Sequence, residues 1–244
     1  MLKDLYNRKH LSEVWHPFVL RPDAWSTHRF DDVARLLRDE KGRLLDIGCG
    51  AGHLVVSLAE MTGGRFCRLD GIDLSDVRVN NGRNAIATRY PHLADRIRLD
   101  VGDADKPLPF EDGSYDVVIC CAVLEHLVNP FEMMREVSRV CRPNGVLILT
   151  VPNAGYIRHV KDLLLGRLPL TGIDEREISL WEHEGWDGGH LHYFTKHALG
   201  DLLKLVGFAP EIWTSDGRFA KLRRWSRLLS GNLTVLARKR CSSS

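Results

Sequence analysis

Apolar and polar positions along this chain switch repeatedly between two periods. In RFDDVARLLRDEKG, Phe30, Val33 and Leu37 recur at helical spacing and Gly42 ends the run, which predicts a helix. RLLDIG follows as a short apolar run of strand length, and HLVVSLAEM returns to the helical pattern. FCRLDGIDLS predicts a strand, with Ser75 capping the helix VRVNNGRNAIATRY that Pro91 closes. RIRLDVGDA and SYDVVICCAV predict two more strands, the second apolar at consecutive positions. PFEMMREVSRVCRPNG predicts a helix ended by Pro143 and Gly145, and VLILTVPN a strand after it. Beyond Pro152 the rhythm breaks, and residues 153–194 read as a long irregular insert. It resumes with helix TKHALGDLLKLVGF, strand PEIWTSD and a final strand NLTVLARK.

Strands that alternate with helices and are apolar on both faces predict a parallel sheet covered on both sides, a doubly wound α/β fold. The 244 residues are 44% hydrophobic, enough for one continuous core. We expect residues 1–244 to form one domain, with residues 1–30 and 153–194 covering a pocket. No internal repeat is present, and the only low-complexity stretch is the serine tail Ser242–Ser244.

The formal net charge of +2 gives no global attraction to nucleic acid, and none is expected as a partner. The six cysteines form no CxxC pair of the zinc or redox type, and most lie in apolar runs, as reduced core thiols do. MLKDLYNRKHLSEVWHPF lacks the apolar stretch of a signal peptide, and no run is long enough to cross a bilayer. The expectation is a reducing, cytoplasmic compartment.

The stretch LLDIGCGAGHL, Leu44 to Leu54, carries the chemistry. A strand turning into a helix aims free N–H groups at whatever lies beyond the strand, and glycines let the backbone approach it. The spacing departs from GxGxxG, since His53 stands where the third glycine should be, and no GKS or GKT follows. Asp46, two residues before the first glycine, would repel a pyrophosphate and attract a cationic or zwitterionic nucleoside. A nicotinamide-dependent dehydrogenase is therefore disfavoured.

LLDIGCGAGHL resembles motif I of the class I S-adenosylmethionine-dependent methyltransferases. GIDLS, VGDADKPLPFEDGSYDVVICCAVLEHL, REVSRVCRPNGVLILTVPN and GHLHYFTKHALGDLLKLVGF follow in that family's order across roughly residues 40–210. The last of these is similar to the ubiquinone-biosynthesis-like small-molecule branch. The resemblance implies a seven-stranded, mostly parallel Rossmann-like sheet with its last strand antiparallel, and a small helical lid. It implies S-adenosylmethionine as cofactor, held by Asp46, Gly48, Gly50, Asp73, Leu74, Asp103, Ala104 and Cys121. In it Asp73 binds both ribose hydroxyls and Asp103 the adenine amino group. The rival acid Asp70 reads as a solvated strand-start residue, and GDA around Asp103 also reads as a simple Asx turn. An arginine before motif I, Arg29 or Arg35, would reach the donor's carboxylate.

The reaction implied is methyl transfer to a small-molecule acceptor, most simply at a hydroxyl oxygen. An acceptor hydroxyl needs a base, and histidine suits that task near neutral pH. His190 in WEHEGWDGGHLHYF and His126 in CCAVLEHL are the candidates, each set against a structural role. His190 and His192 alternate along extended chain, so only one faces inward. His183, Glu184 and Asp187 complete a cluster whose spacing matches no metal template, and no metal is expected. Cys121 reads as a lining residue and not a nucleophile. A non-catalytic donor-binding or assembly protein with the same fold is the alternative.

Two amphipathic segments remain. YIRHVKDLLLGRLPL has a leucine-rich face suited to an apolar acceptor. GRFAKLRRWSRLLSG crowds five cations around an apolar stripe, and for residues 218–229 a solvated face, an anionic acceptor and a peripheral membrane contact stay open.

Overall fold

The computed structural model describes residues 3, 7, 10–11, 13–21, 28–172, 179, 181, 185–214 and 227–241. The sequence periods translate into helices α1 (Arg29–Leu36), α2 (His53–Met61), α3 (Asp76–Arg89), α4 (Pro130–Val140), α5 (Ile157–Leu164) and α6 (Lys196–Leu205). Strands are β1 (Gly42–Ile47), β2 (Phe66–Asp73), β3 (Ile97–Val101), β4 (Tyr115–Cys121), β5 (Cys141–Pro152), β6 (Phe208–Thr214) and β7 (Asn232–Lys239). They form one sheet in the order β3-β2-β1-β4-β5-β7-β6. β7 runs antiparallel to both neighbours, and β1 to β5 pair in parallel.

The consecutive apolar positions follow from burial on both sides. Leu44, Val117, Ile119, Val146 and Ile148 enter the core beneath α1, α2 and α3. Leu45, Val118, Cys120, Leu147 and Leu149 enter a second core beneath α4 and α6. Adjacent residues of one strand thus serve opposite layers. Ser75 caps α3 as read, accepting from Arg78 N, and Asn129 and Thr195 cap α4 and α6 in the same way, accepting from Glu132 N and Ala198 N.

Four details differ from the sequence reading. Helix α4 stops at Val140, and Cys141 is already extended strand with φ −74° and ψ 130°. Pro143 disfavours helix at the residue before it, and the Pro-Asn-Gly bend survives as an irregularity of β5, with Asn144 at φ 62° between paired Cys141 and Val146. Strand β6 begins at Phe208 and not at Pro210. Asp70 is not solvated: it lies mid-strand, 6% exposed, accepting the Tyr115 hydroxyl at 2.9 Å and paired with Arg68. In α5 the apolar side turns outward, with Leu164 82% exposed, while His159 and Asp162 are buried.

All six cysteines are free, with Cys49, Cys120 and Cys141 buried. Among the described residues no helix is long and apolar enough to cross a membrane.

Candidate functional site

The chain order reverses between β1 and β4, where adjacent crossovers leave the sheet in opposite directions and open a crevice at the strands' carboxyl ends. The glycine turn stands at that point. Gly48, Gly50 and Gly52 have φ of 75°, 56° and 73°, which side-chain-bearing residues rarely adopt. A Cβ on Gly48 would lie 2.2 Å from Val123 Cγ2, and one on Gly50 would lie 2.6 Å from the Arg78 guanidinium carbon. Gly50 N donates to Asp73 Oδ2 at 2.8 Å and Ser75 N to Oδ1 at 2.9 Å, so Asp73 ties the turn to the end of β2.

Two adjoining cavities share Gly48 and Ala122. The larger, of about 330 Å³, falls within the range of small-molecule sites. Asp73, Leu74, Asp103 and Ala104 line it with Val123 and His126. The smaller, of about 100 Å³, is lined by Arg29, Asp46, Gly50, His53 and Cys121. All eight residues expected around the donor therefore border one crevice. Arg29 reaches it; Arg35 is held by Asp32 and Thr214 and does not line either cavity.

Burial and the neighbouring Asp73 push the Asp46 carboxyl from 3.8 up to about 8. Burial also raises the Cys121 thiol to about 12, and its Sγ lies 3.7 Å from Thr150 Oγ1; an inert lining thiol is the result. Asp103 is exposed and does form the Asx turn, accepting from Asp105 N at 2.9 Å through Oδ1. Ala122 has φ 57°, an uncommon value for alanine, and turns the backbone after β4 across the junction of the cavities.

The far wall of the larger cavity joins two segments distant in sequence. A short 3₁₀ turn, Leu124–His126, presents its Glu125 carbonyl to the backbone N–H groups of Leu191 and His192 at 2.7 and 3.1 Å. That bond pair brings His190 beside His126, with ring centroids 4.6 Å apart. His126 lines the cavity, and His190, 7% exposed, lies behind it. His192 points away from them, towards Phe194, as alternation requires.

Asp187 organises this wall. It is fully buried with φ 45°, and its carboxylate accepts from Thr171 N, Gly172 N, Thr171 Oγ1 and the Tyr193 hydroxyl. These bonds hold it below the ordinary carboxylate range against burial, which acts the other way. Thr171 Oγ1 also contacts His190 Nδ1 at 2.7 Å. Burial, then His126, lowers the His190 imidazole to about 4, and burial raises the Glu125 carboxyl to about 7. Glu125 is 1% exposed, and neither carboxylate oxygen has a hydrogen-bond partner among the described residues. Sequence reasoning alone misses Glu125, whose one signal is an acid beside a histidine just after a buried strand. His183, Glu184 and residues 218–226 lie outside the described residues, and of the basic segment only the short 3₁₀ turn Arg227–Leu229 is described.

The sheet order, the glycine turn and the acidic residue ending β2 define a class I methyltransferase-type α/β fold with a nucleoside crevice. A family model described as "Methyltransferase domain" matches residues 22–211, and the chain belongs to the S-adenosylmethionine-dependent methyltransferases. YqeM of Bacillus subtilis (strain 168), provisionally named a methyltransferase, is 32% identical over 201 residues, 72% of this chain and 77% of that one. The ubiquinone biosynthesis O-methyltransferase of Caulobacter sp. (strain K31) is 29% identical over 64% of this chain and 63% of its own length. A solved S-adenosylmethionine-dependent methyltransferase from Mesorhizobium loti superposes with a TM-score of 0.61 at 19% identity, over 85% of this chain and 96% of that one. Other relatives are named as O-, N- and C-methyltransferases, and the chain spans only 59%, 34% and 32% of their lengths.

The residues present suit S-adenosylmethionine. The bare backbone at Gly48 and Gly50 leaves room that a Cβ would fill. Buried Asp46 and Asp73 favour a cation over a diphosphate, and Arg29 carries a buried Nε without a partner among the described residues.

Proposed function

We propose that this chain methylates a hydroxyl oxygen of a small molecule. The observation that carries the reading is the wall of Glu125, His126 and His190, which adjoins the cavity lined by the donor-side residues. Asp73 takes the ribose hydroxyls, as a charged acceptor strengthens both bonds. Asp103 keeps Oδ2 for the adenine amino group, and Leu74 and Ala104 flank the ring. Asp46 and Arg29 face the ammonium and carboxylate of the amino-acid end. When bound, S-adenosylmethionine supplies an already activated methyl group. The protein's part is alignment, and the Cys121–Ala122 main chain sets the path between the two cavities. His126, backed by His190, engages the acceptor hydroxyl, whose proton must leave for oxygen to attack.

Support for oxygen comes from the histidine wall and from the named O-methyltransferase relatives.

The test is calorimetric titration of the purified chain with S-adenosylmethionine and its demethylated product, followed by turnover on a panel of phenols and alcohols. Binding is expected for both. Replacing His126 by Ala should lower kcat by about 10²- to 10⁴-fold with donor affinity unchanged. Donor binding with no turnover on any hydroxyl acceptor would favour the non-catalytic reading. Absent donor binding would end both.

A further inference from the structure

We infer that Glu125, His126 and His190 form a binding site for one divalent transition-metal ion, open on its cavity side. The inference rests on the proposed acceptor site and specifies how it handles the hydroxyl. A carboxylate oxygen and one nitrogen from each imidazole all lie within 4.8 Å of one another. Two ligands of one tetrahedral ion, each at roughly 2.1 Å, stand about 3.4 Å apart, within roughly 1.4 Å of the largest separation in the cluster. Small side-chain rotations therefore close the set around an ion.

The proton arrangement points the same way. Asp187, a carboxylate, only accepts, so the Thr171 hydroxyl spends its single proton on Asp187 Oδ2 at 2.8 Å. Thr171 Oγ1 must then accept from His190 Nδ1 at 2.7 Å, which makes Nε2 the lone-pair nitrogen. His126 Nδ1 sits 3.0 Å from the Gly189 carbonyl, which only accepts, so Nδ1 carries the proton and Nε2 the lone pair. An imidazole with one nitrogen donated to a carbonyl or an acid-backed hydroxyl is the usual outer support of a metal ligand.

Glu125 supplies the independent observation. Its side chain is 1% exposed, its two oxygens have no hydrogen-bond partner among the described residues, and it is aimed at the two rings. A buried carboxylate without partners is costly, and a cation bound between it and the imidazoles removes that cost. Arg29 is near enough to favour its charge but makes no hydrogen bond to it. Two imidazoles and one carboxylate suit zinc, manganese, iron or cobalt in the divalent state and leave positions for exogenous oxygen. Magnesium and calcium prefer all-oxygen sets.

The ion's role follows from its place beside the cavity-lining His126. It binds the acceptor oxygen and lowers the hydroxyl's pKa. The proton departs to water at the cavity mouth. The oxygen then forms its bond to the methyl carbon, and the electron pair of the broken carbon–sulfur bond returns to sulfur, so the anionic oxygen and the cationic sulfur both end neutral. The imidazoles hold the ion and need not take the proton themselves.

The experiment uses the full chain, stripped with a chelator and titrated with Co²⁺ while visible absorption is read. Donor-product affinity is measured in parallel. Wild type should take up one equivalent with nitrogen–oxygen ligand bands. Glu125→Ala and His190→Ala should lose this binding by tenfold or more while keeping donor-product affinity. Thr171→Val, which leaves all three ligands in place and guards against misfolding of the others, should weaken Co²⁺ binding about tenfold. Methyl transfer should fall on chelation and return with added metal. No saturable Co²⁺ uptake, equal uptake by Glu125→Ala and wild type, or transfer undiminished after chelation would overturn the inference while donor binding stands. Loss of donor binding in wild type would instead overturn the methyltransferase reading beneath it.

Discussion

Asp46 is the residue whose environment most constrains the donor. Its carboxyl is 3% exposed beside Asp73, and the folded-state value of about 8 stands far above the ordinary 3.8. Between those two values the folded chain holds a proton that the unfolded chain has released. Without donor, stability should therefore fall as pH rises through that window. A cationic ligand reverses the preference, because it needs the ionised acid. Donor binding should then expel a proton below pH 8, with affinity rising by up to about tenfold per pH unit and levelling above it. Calorimetry in two buffers of different ionisation enthalpy would read the released proton, and Asp46→Asn should flatten the profile. A flat wild-type profile would separate Asp46 from the cation. At Gly48 the expectation is steric: Gly48→Ala puts a methyl 2.2 Å from Val123 at a left-handed φ, and donor affinity should drop at least tenfold with the fold retained.

At the scale of elements, the acceptor wall is built by a loop bonded to a 3₁₀ turn, and Asp187 is the knot. It satisfies the backbone N–H groups of Thr171 and Gly172 and the hydroxyls of Thr171 and Tyr193 inside the protein. Asp187→Ala strands these donors, so a loss of about 2–4 kcal/mol is expected in denaturant unfolding. Methyl transfer should fall with it, whereas donor affinity should stay within about twofold, because the hydrogen-bond partners of Asp187 named above all belong to the acceptor wall. Equal losses of both would show that the loop also shapes the donor crevice. This knot also marks where sequence stopped being informative. The β1–α2 turn was legible because three glycines at alternate positions follow a short apolar strand, and Asp73 and Cys121 were placed at the ends of β2 and β4 by the resemblance of GIDLS and CCAVLEHL to the family's motifs. Glu125 and His190 were not legible as a pair. They stand 65 positions apart, and long-range contacts, the Leu191 and His192 bonds to the Glu125 carbonyl and the His126–Gly189 contact, bring them together. The Pro143 region failed for a related reason: a proline and a glycine signal a break, but the strand partner Tyr115 decides that the break becomes an irregular strand.

Across the whole molecule, the crevice lies where four strand ends and the N-terminal segment meet. Lys3 lines the larger cavity, Asn7 donates to Asp76 at 2.7 Å and accepts from Ser75 Oγ at 2.7 Å, and Trp15 reaches the Ala51 carbonyl at 2.9 Å. A ligand seated there contacts parts that come together only in the folded chain, so binding is coupled to global stability. At a hundredfold excess over Kd, a ligand that binds only the folded state adds about 2.7 kcal/mol. For a domain of this size each kcal/mol raises Tm by roughly 2–4 °C. Scanning calorimetry with the demethylated donor should therefore show a rise of about 5–10 °C. Asp73→Ala should lower the ligand-free Tm, since Gly50 N and Ser75 N lose their acceptor, and should also abolish the ligand-induced rise. NADH at the same concentration should leave Tm where it was, because Asp73 repels its diphosphate and Asp46 offers that diphosphate no positive charge. A rise with NADH that matches the nucleoside's would place the phosphate-binding alternative back at this crevice.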